Sequence, residues 1–166
     1  MTENILQAPE IIEENTSPMP IYLALINFLR ENDLAFIESE ENGTLGLVVE
    51  GNNGRYTCYA IAREKEQQMI FYSLFPINVP EAKRLAIAEF ITKANYGMMI
   101  GNFELDFQDG EIRFKTSIDV ENDCLTSALI KNLVAANLAM MDHYMQGLMS
   151  VIYGNVSPDE AIAQIE

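Results

Sequence analysis

His143 is the only histidine in the chain, and no serine, cysteine or carboxylate is tied to it by the spacing of a nucleophile motif. It follows Asp142 at the edge of an apolar helical arc, where an imidazole is ordinarily a packed or solvated side chain and not a general base. Asp119, Glu121 and Asp123 have the alternate spacing with which a calcium loop begins. The glycine that such a loop needs at its sixth position is replaced by Cys124, and the bidentate glutamate at its twelfth by Ile130. The run therefore reads as a strand end feeding a helix N-terminus, where the helix dipole favours carboxylates.

Cys58 and Cys124 match no metal or redox spacing and read as small buried hydrophobes or free thiols. The glycines of "GTLGLVVEGNNG" belong to hairpins and turns, since a dinucleotide fingerprint or phosphate loop requires the order strand, loop, helix. "GMMIG" has the small-residue spacing of a membrane dimer but no apolar span around it, which leaves a helix stop and a strand start. The expectation is no catalytic residue, no cofactor and no metal.

Met140, Met141, Met145 and Met149 form the cluster with most to say. Methionine fills irregular gaps in cores, and it also lines adaptable surfaces that accept varied apolar partners. Both readings fit the pattern, and burial within one copy of the chain decides between them.

These residues must be placed by a long helix from about Leu125 to Tyr153. Its apolar positions span an arc of about 200°, roughly twice the stripe that one-sided burial needs, so it must touch two things. Earlier in the chain, "SPMPIYLALINFLREND" sets Pro20 before apolar residues at 21, 24, 25, 28 and 29, which predicts a first helix ending at Asn32-Asp33. "LAFIE", "TLGLVVE", "RYTCYAIARE" and "QMIFYSLFP" then read as antiparallel strands between turn signals. The run from Met69 to Phe75 is apolar on both faces, as in a strand covered twice or one that meets a partner.

"PEAKRLAIAEFITKANYG" predicts a second helix with Gly97 as its stop. Ile87, Phe90, Ile91 and Ala94 share its inner stripe, whereas Leu85 and Tyr96 fall outside it as isolated surface hydrophobes or as a second contact surface. In "NFELDFQDGEIRFKTSIDVEND" a two-residue Asp109-Gly110 turn predicts Phe107 opposite Ile112 and Leu105 opposite Phe114. The wet face would then pair Asp106 with Arg113 and Glu104 with Lys115, which holds register and solubility and implies no ligand. Ser157, Pro158 and Glu160 form a capping-box pattern for a short terminal helix.

A chain of 166 residues buries roughly 70% of its unfolded surface and needs no disulfide or metal staple. Its net charge of -15 repels phosphate backbones and anionic headgroups, so neither nucleic acid nor membrane is an expected partner. No basic leader and no span of about 20 apolar residues is present, which predicts a cytoplasmic protein. Residues 1–17 are expected to be a flexible acidic arm, 18–155 the folded domain and 156–166 a short C-terminal helix.

"VPEAKRLAIAEFITKAN", an intervening glycine, "GNFELD" and "DGEIRFKTSIDVE", in that order, resemble the YbjN-domain family of bacterial proteins, with a likeness over most of residues 17 to 155. The resemblance implies an α+β fold like that of type III secretion chaperones, with helices packed on one face of a curved antiparallel sheet. Chaperones of that fold are commonly small acidic homodimers that hold extended segments of client protein, and YbjN-like proteins are described as sensory-transduction regulators. Neither description supplies catalytic residues. The expected function is a non-enzymatic protein-binding, chaperone-like or regulatory module, dimerising through Leu85, Tyr96, Leu138, Met145 and Met149 and binding an unidentified protein client. The alternative is a small-ligand sensor or enzyme using carboxylates in a concave sheet, which needs two convergent acids or one strongly desolvated acid.

Overall fold

The structure is a computed structural model and describes residues 19–41 and 43–166; the arm expected at 1–17 lies outside them. The first helix, α1 (Ile21–Glu31), has the stripe its spacing requires, with Ile21, Ala24, Leu25, Phe28 and Leu29 buried. Pro20 contributes no side-chain cap. The carboxylate of Glu64 does so from the turn after the third strand, accepting from the N–H groups of Ile21 at 3.1 Å and Tyr22 at 2.7 Å and satisfying donors that a helix start leaves without partners.

The strands are β1 (Ile37–Glu38), β2 (Thr44–Glu50), β3 (Arg55–Arg63), β4 (Gln68–Leu74), β5 (Asn102–Leu105) and β6 (Ile112–Asp119). They form one six-stranded antiparallel sheet in the order β1-β2-β3-β4-β6-β5. Of the predicted strand "LAFIE", only Ile37 and Glu38 pair; Leu34 is still bonded to Leu29 of α1 at 2.9 Å.

Burial alternates along β3 and β4 with Tyr56, Cys58, Ala60, Met69 and Phe71 inside, so the helices of the described residues cover one face and leave the other open. A 3₁₀ turn (Glu81–Lys83) leads into α2 (Arg84–Asn95), whose buried residues are Ile87, Phe90, Ile91 and Ala94, the predicted stripe. The long helix α3 (Ser127–Tyr153) is capped by Thr126, whose hydroxyl accepts from Leu129 N–H at 3.2 Å. The short α4 (Pro158–Ala163) carries the predicted capping box and buries Ala161.

The β5–β6 register departs from expectation by two residues. Phe103 faces Phe114, Glu104 faces Arg113 and Leu105 faces Ile112, while Phe107 lies in the loop, half exposed. Gly110 explains the difference: its carbonyl accepts from Val79 N–H at 2.8 Å, and at φ 83° its backbone lies so close to Val79 that a Cβ would overlap it. Arg84 further holds the loop by donating to the Phe107 carbonyl at 2.8 Å. Tertiary bonds to residues 79–84 thus replace the two-residue turn. Because the shift is even, each strand keeps its inward set.

Candidate protein-docking surface

The five residues expected at a contact surface are treated differently by the fold. Leu85 is 78% and Tyr96 92% exposed, and Met149 is partly exposed. Leu138 is half-buried against the core, and Met145 is buried at 3%, so Met145 offers a partner no surface. The cause is the β2–β3 turn, which folds down onto α3. Asp142 Oδ1 accepts from Asn53 N–H at 2.8 Å, and Gln146 donates to Asn53 Oδ1 at 2.6 Å. Tyr56 donates its hydroxyl to the Leu138 carbonyl at 3.2 Å, and Gly54 sits so close over Met145 that a Cβ would overlap its sulfur. The wide apolar arc of α3 is therefore covered largely by its own chain: the sheet, the turn, α1, α2 and α4.

Two apolar surfaces remain. One continues past Leu85 and Tyr96 into Met99 and Ile100, both exposed, which the periodicity missed because they lie beyond the helix. The other is the open face of the sheet. Ile37 and Val48 are exposed there, with Tyr59, Ile61, Ile70, Tyr72 and Leu74 half-buried around them. The run from Met69 to Phe75, apolar on both faces, is buried on one face at Met69, Phe71 and Phe75 and sets Ile70, Tyr72 and Leu74 half-buried on the other. A groove of about 280 Å³ lies beside Ala35, Phe36, Ile37, Val48 and Tyr59, and a second of about 490 Å³ runs from Val48 and Tyr59 to Leu74 and Pro76.

Across β6 the same face turns polar. The Arg113 guanidinium stacks on Tyr72 with its carbon 4.4 Å from the ring centroid. Glu104 bridges Arg113 at 2.7 Å and Lys115: the expected Glu104–Lys115 pair forms, and Arg113 joins it where a pairing with Asp106 was expected. Partial burial pushes the Glu104 carboxyl up, but the hydrogen bonds and charges of Lys115 and Arg113 outweigh it and hold the group below its ordinary value.

The remaining titratable groups are held locally. His143 is exposed and meets Tyr144 edge-on. Asp119 is held down by hydrogen bonds from Gln68 and from Glu121 N–H, and Glu160 by those from Ser157. Asp123 accepts from Cys124 N–H. Burial pushes the Cys58 thiol up to about 11, against a hydrogen bond with Ser73. Among the described residues, no group of three or more His, Cys, Asp or Glu could hold a metal ion, and no helix is long and apolar enough to cross a membrane.

Residues 24–148 match the YbjN family model, described as "Putative bacterial sensory transduction regulator". No curated protein matches. Among solved structures, the crystal structure of YbjN, "a putative transcription regulator from E. coli", is similar at TM-score 0.59 and 16% identity, covering 82% of this chain and 92% of that one. A chain of the HopA1–SchA chaperone–effector complex is similar at TM-score 0.51 and 17% identity, over 75% of this chain and 91% of that one. A chain of the ExsC–ExsE complex is similar at TM-score 0.55 and 11% identity, over 78% and 96%. At these identities the likeness is one of fold, the type III secretion chaperone-like α+β arrangement anticipated from the sequence.

Proposed function

This chain belongs to the YbjN family, and from that premise we propose that it is a protein-binding module of chaperone-like or regulatory kind, non-enzymatic and acting as a cytoplasmic homodimer. The carrying observation is the open sheet face, where Val48, Tyr59, Ile70, Tyr72 and Leu74 lie on the side that the helices of the described residues leave open. Apolar side chains in shallow grooves with a charged margin suit a polypeptide better than a small molecule, which calls for a more enclosed pocket. The likeness to a chain of a chaperone–effector complex supports the same reading. Two free thiols, Cys58 and Cys124, fit a reducing compartment.

The homodimer reading rests on α2. Leu85 and Tyr96 lie on one helical face with Ala88 and Thr92, two smaller residues, between them. An antiparallel two-fold pairing would bring Leu85 of each copy against Tyr96 of the other. Light scattering should report a dimer that Leu85→Glu with Tyr96→Glu converts to monomer; a monomeric wild type would end the dimer reading. For the open face, partners recovered with wild type from its own cell extract should be lost with a folded Tyr72→Asp variant. Equal recovery by both would refute a client site there.

A further inference from the structure

The two edges of the sheet are finished differently. On β5 the Asn95 side chain takes the place of a neighbouring strand, its Oδ1 accepting from Phe103 N–H at 2.7 Å and its Nδ2 donating to the Phe103 carbonyl at 3.0 Å. That blocks a strand only four residues long, and blocking an edge in this way prevents pairing with another chain. At the opposite edge, β1 pairs only with Leu45 and Gly46 of the seven-residue β2.

Ser39 N–H donates to the Thr44 carbonyl at 3.0 Å, so the backbone of Thr44 faces the outer side. By the two-residue period of an antiparallel ladder, the backbones of Gly46, Val48 and Glu50 face it too. Among the described residues, nothing bonds the outer groups of Val48 or Glu50. Pairing with β1 stops at Ile37, and the space beyond it is the groove beside Phe36, Val48 and Tyr59. Four exposed carboxylates belong to this edge: Glu38 on β1, which accepts from the Tyr22 hydroxyl at 2.9 Å, Glu40 and Glu41 in the turn between the strands, and Glu50 at the far end of β2, opposite Arg55 on β3.

We propose that the β1–β2 edge is a strand-addition site for an extended segment of a partner protein. The segment's main chain pairs with Val48 and Glu50, an alternate apolar side chain enters the groove at Phe36 and Tyr59, and lysine or arginine flanks the paired stretch to meet the four carboxylates. The chain's own first 18 residues hold four glutamates and no lysine or arginine, so their charge is wrong for this site. The proposal rests on the protein-binding reading above and specifies the kind of segment bound.

The test is fluorescence anisotropy of the full chain with a synthetic peptide of alternating valine and threonine carrying two lysines at each end. A matched peptide has glutamates in place of the lysines. The lysine peptide should bind at least tenfold more tightly than the glutamate peptide. Val48→Pro removes the outward N–H without touching the β3 ladder and should weaken binding at least tenfold; N-methylation of the central valine of the peptide should do the same, without altering the protein. No binding of the lysine peptide, equal binding of the glutamate peptide, or full binding of the N-methylated one overturns the site. If Val48→Pro still recovers the partners that Tyr72→Asp loses, the edge proposal fails while the open-face reading survives.

Discussion

Asn137 lies fully buried where α3 crosses the sheet. Its amide nitrogen donates to the carbonyls of Phe71 at 3.0 Å and Phe114 at 3.1 Å, on β4 and β6, and its oxygen accepts from the Ser73 hydroxyl. Each buried polar group there has a partner, so removing one strands the others. Asn137→Ala should cost about 3 kcal/mol, read as a lower urea midpoint at unchanged slope. Glu104 gives a pH signature. Its carboxyl is lowered from 4.5 in the fold, so the stability it contributes is present above 4.5 and is lost as pH falls through the folded value. Glu104→Gln should cost about 1 kcal/mol at pH 7. In thermal melts, the gap to wild type should close as the pH is taken well below 4.5.

At the level of elements, the β5–β6 hairpin is shaped by its neighbour and not by its turn. Asp106 accepts from Gln108 N–H at 2.7 Å and Asp109 from Glu111 N–H at 2.8 Å, local bonds that let the loop widen around Val79. Gly110→Ala meets both the positive φ of 83° and the Val79 backbone. It should cost about 2 kcal/mol or more, with faster amide exchange concentrated in residues 102–119. A comparable loss from Asp109→Ala would show that the turn, and not the approach to Val79, sets the hairpin.

For the molecule as a whole, α4 closes the helical layer. Ala161 is fully buried, a Cβ on Gly147 of α3 would overlap Ile165 and Phe90, and Tyr144 donates to the Glu166 carboxylate at 2.8 Å. Removing residues 156–166 should uncover Phe90 and Leu148 and cost about 3 kcal/mol from lost apolar burial. The change should appear as a lower melting temperature and increased binding of a hydrophobic dye. An unchanged melting temperature would mean that the segment is an appendage. The same economy of cover explains α3: its excess apolar arc is met by several elements of one chain, whereas the open sheet face and the outer stripe of α2 stay exposed or half-buried among the described residues.

Periodicity and turn chemistry make much of this legible in the primary structure. Thr44–Glu50 is a short run between turn signals, Ile87, Phe90, Ile91 and Ala94 mark the inner side of α2, and Ser157 with Glu160 caps α4, because each signal comes from residues a few positions apart. Other features depend on groups brought together from far along the chain: Glu64 capping α1, Val79 widening the hairpin at Gly110, and Asn53 carrying a turn over Met145. Whether a methionine is core or surface is of this second kind. Its hydrophobicity is intrinsic, but its exposure depends on what folds over it, and for Met145 that is a turn about ninety residues earlier in the chain.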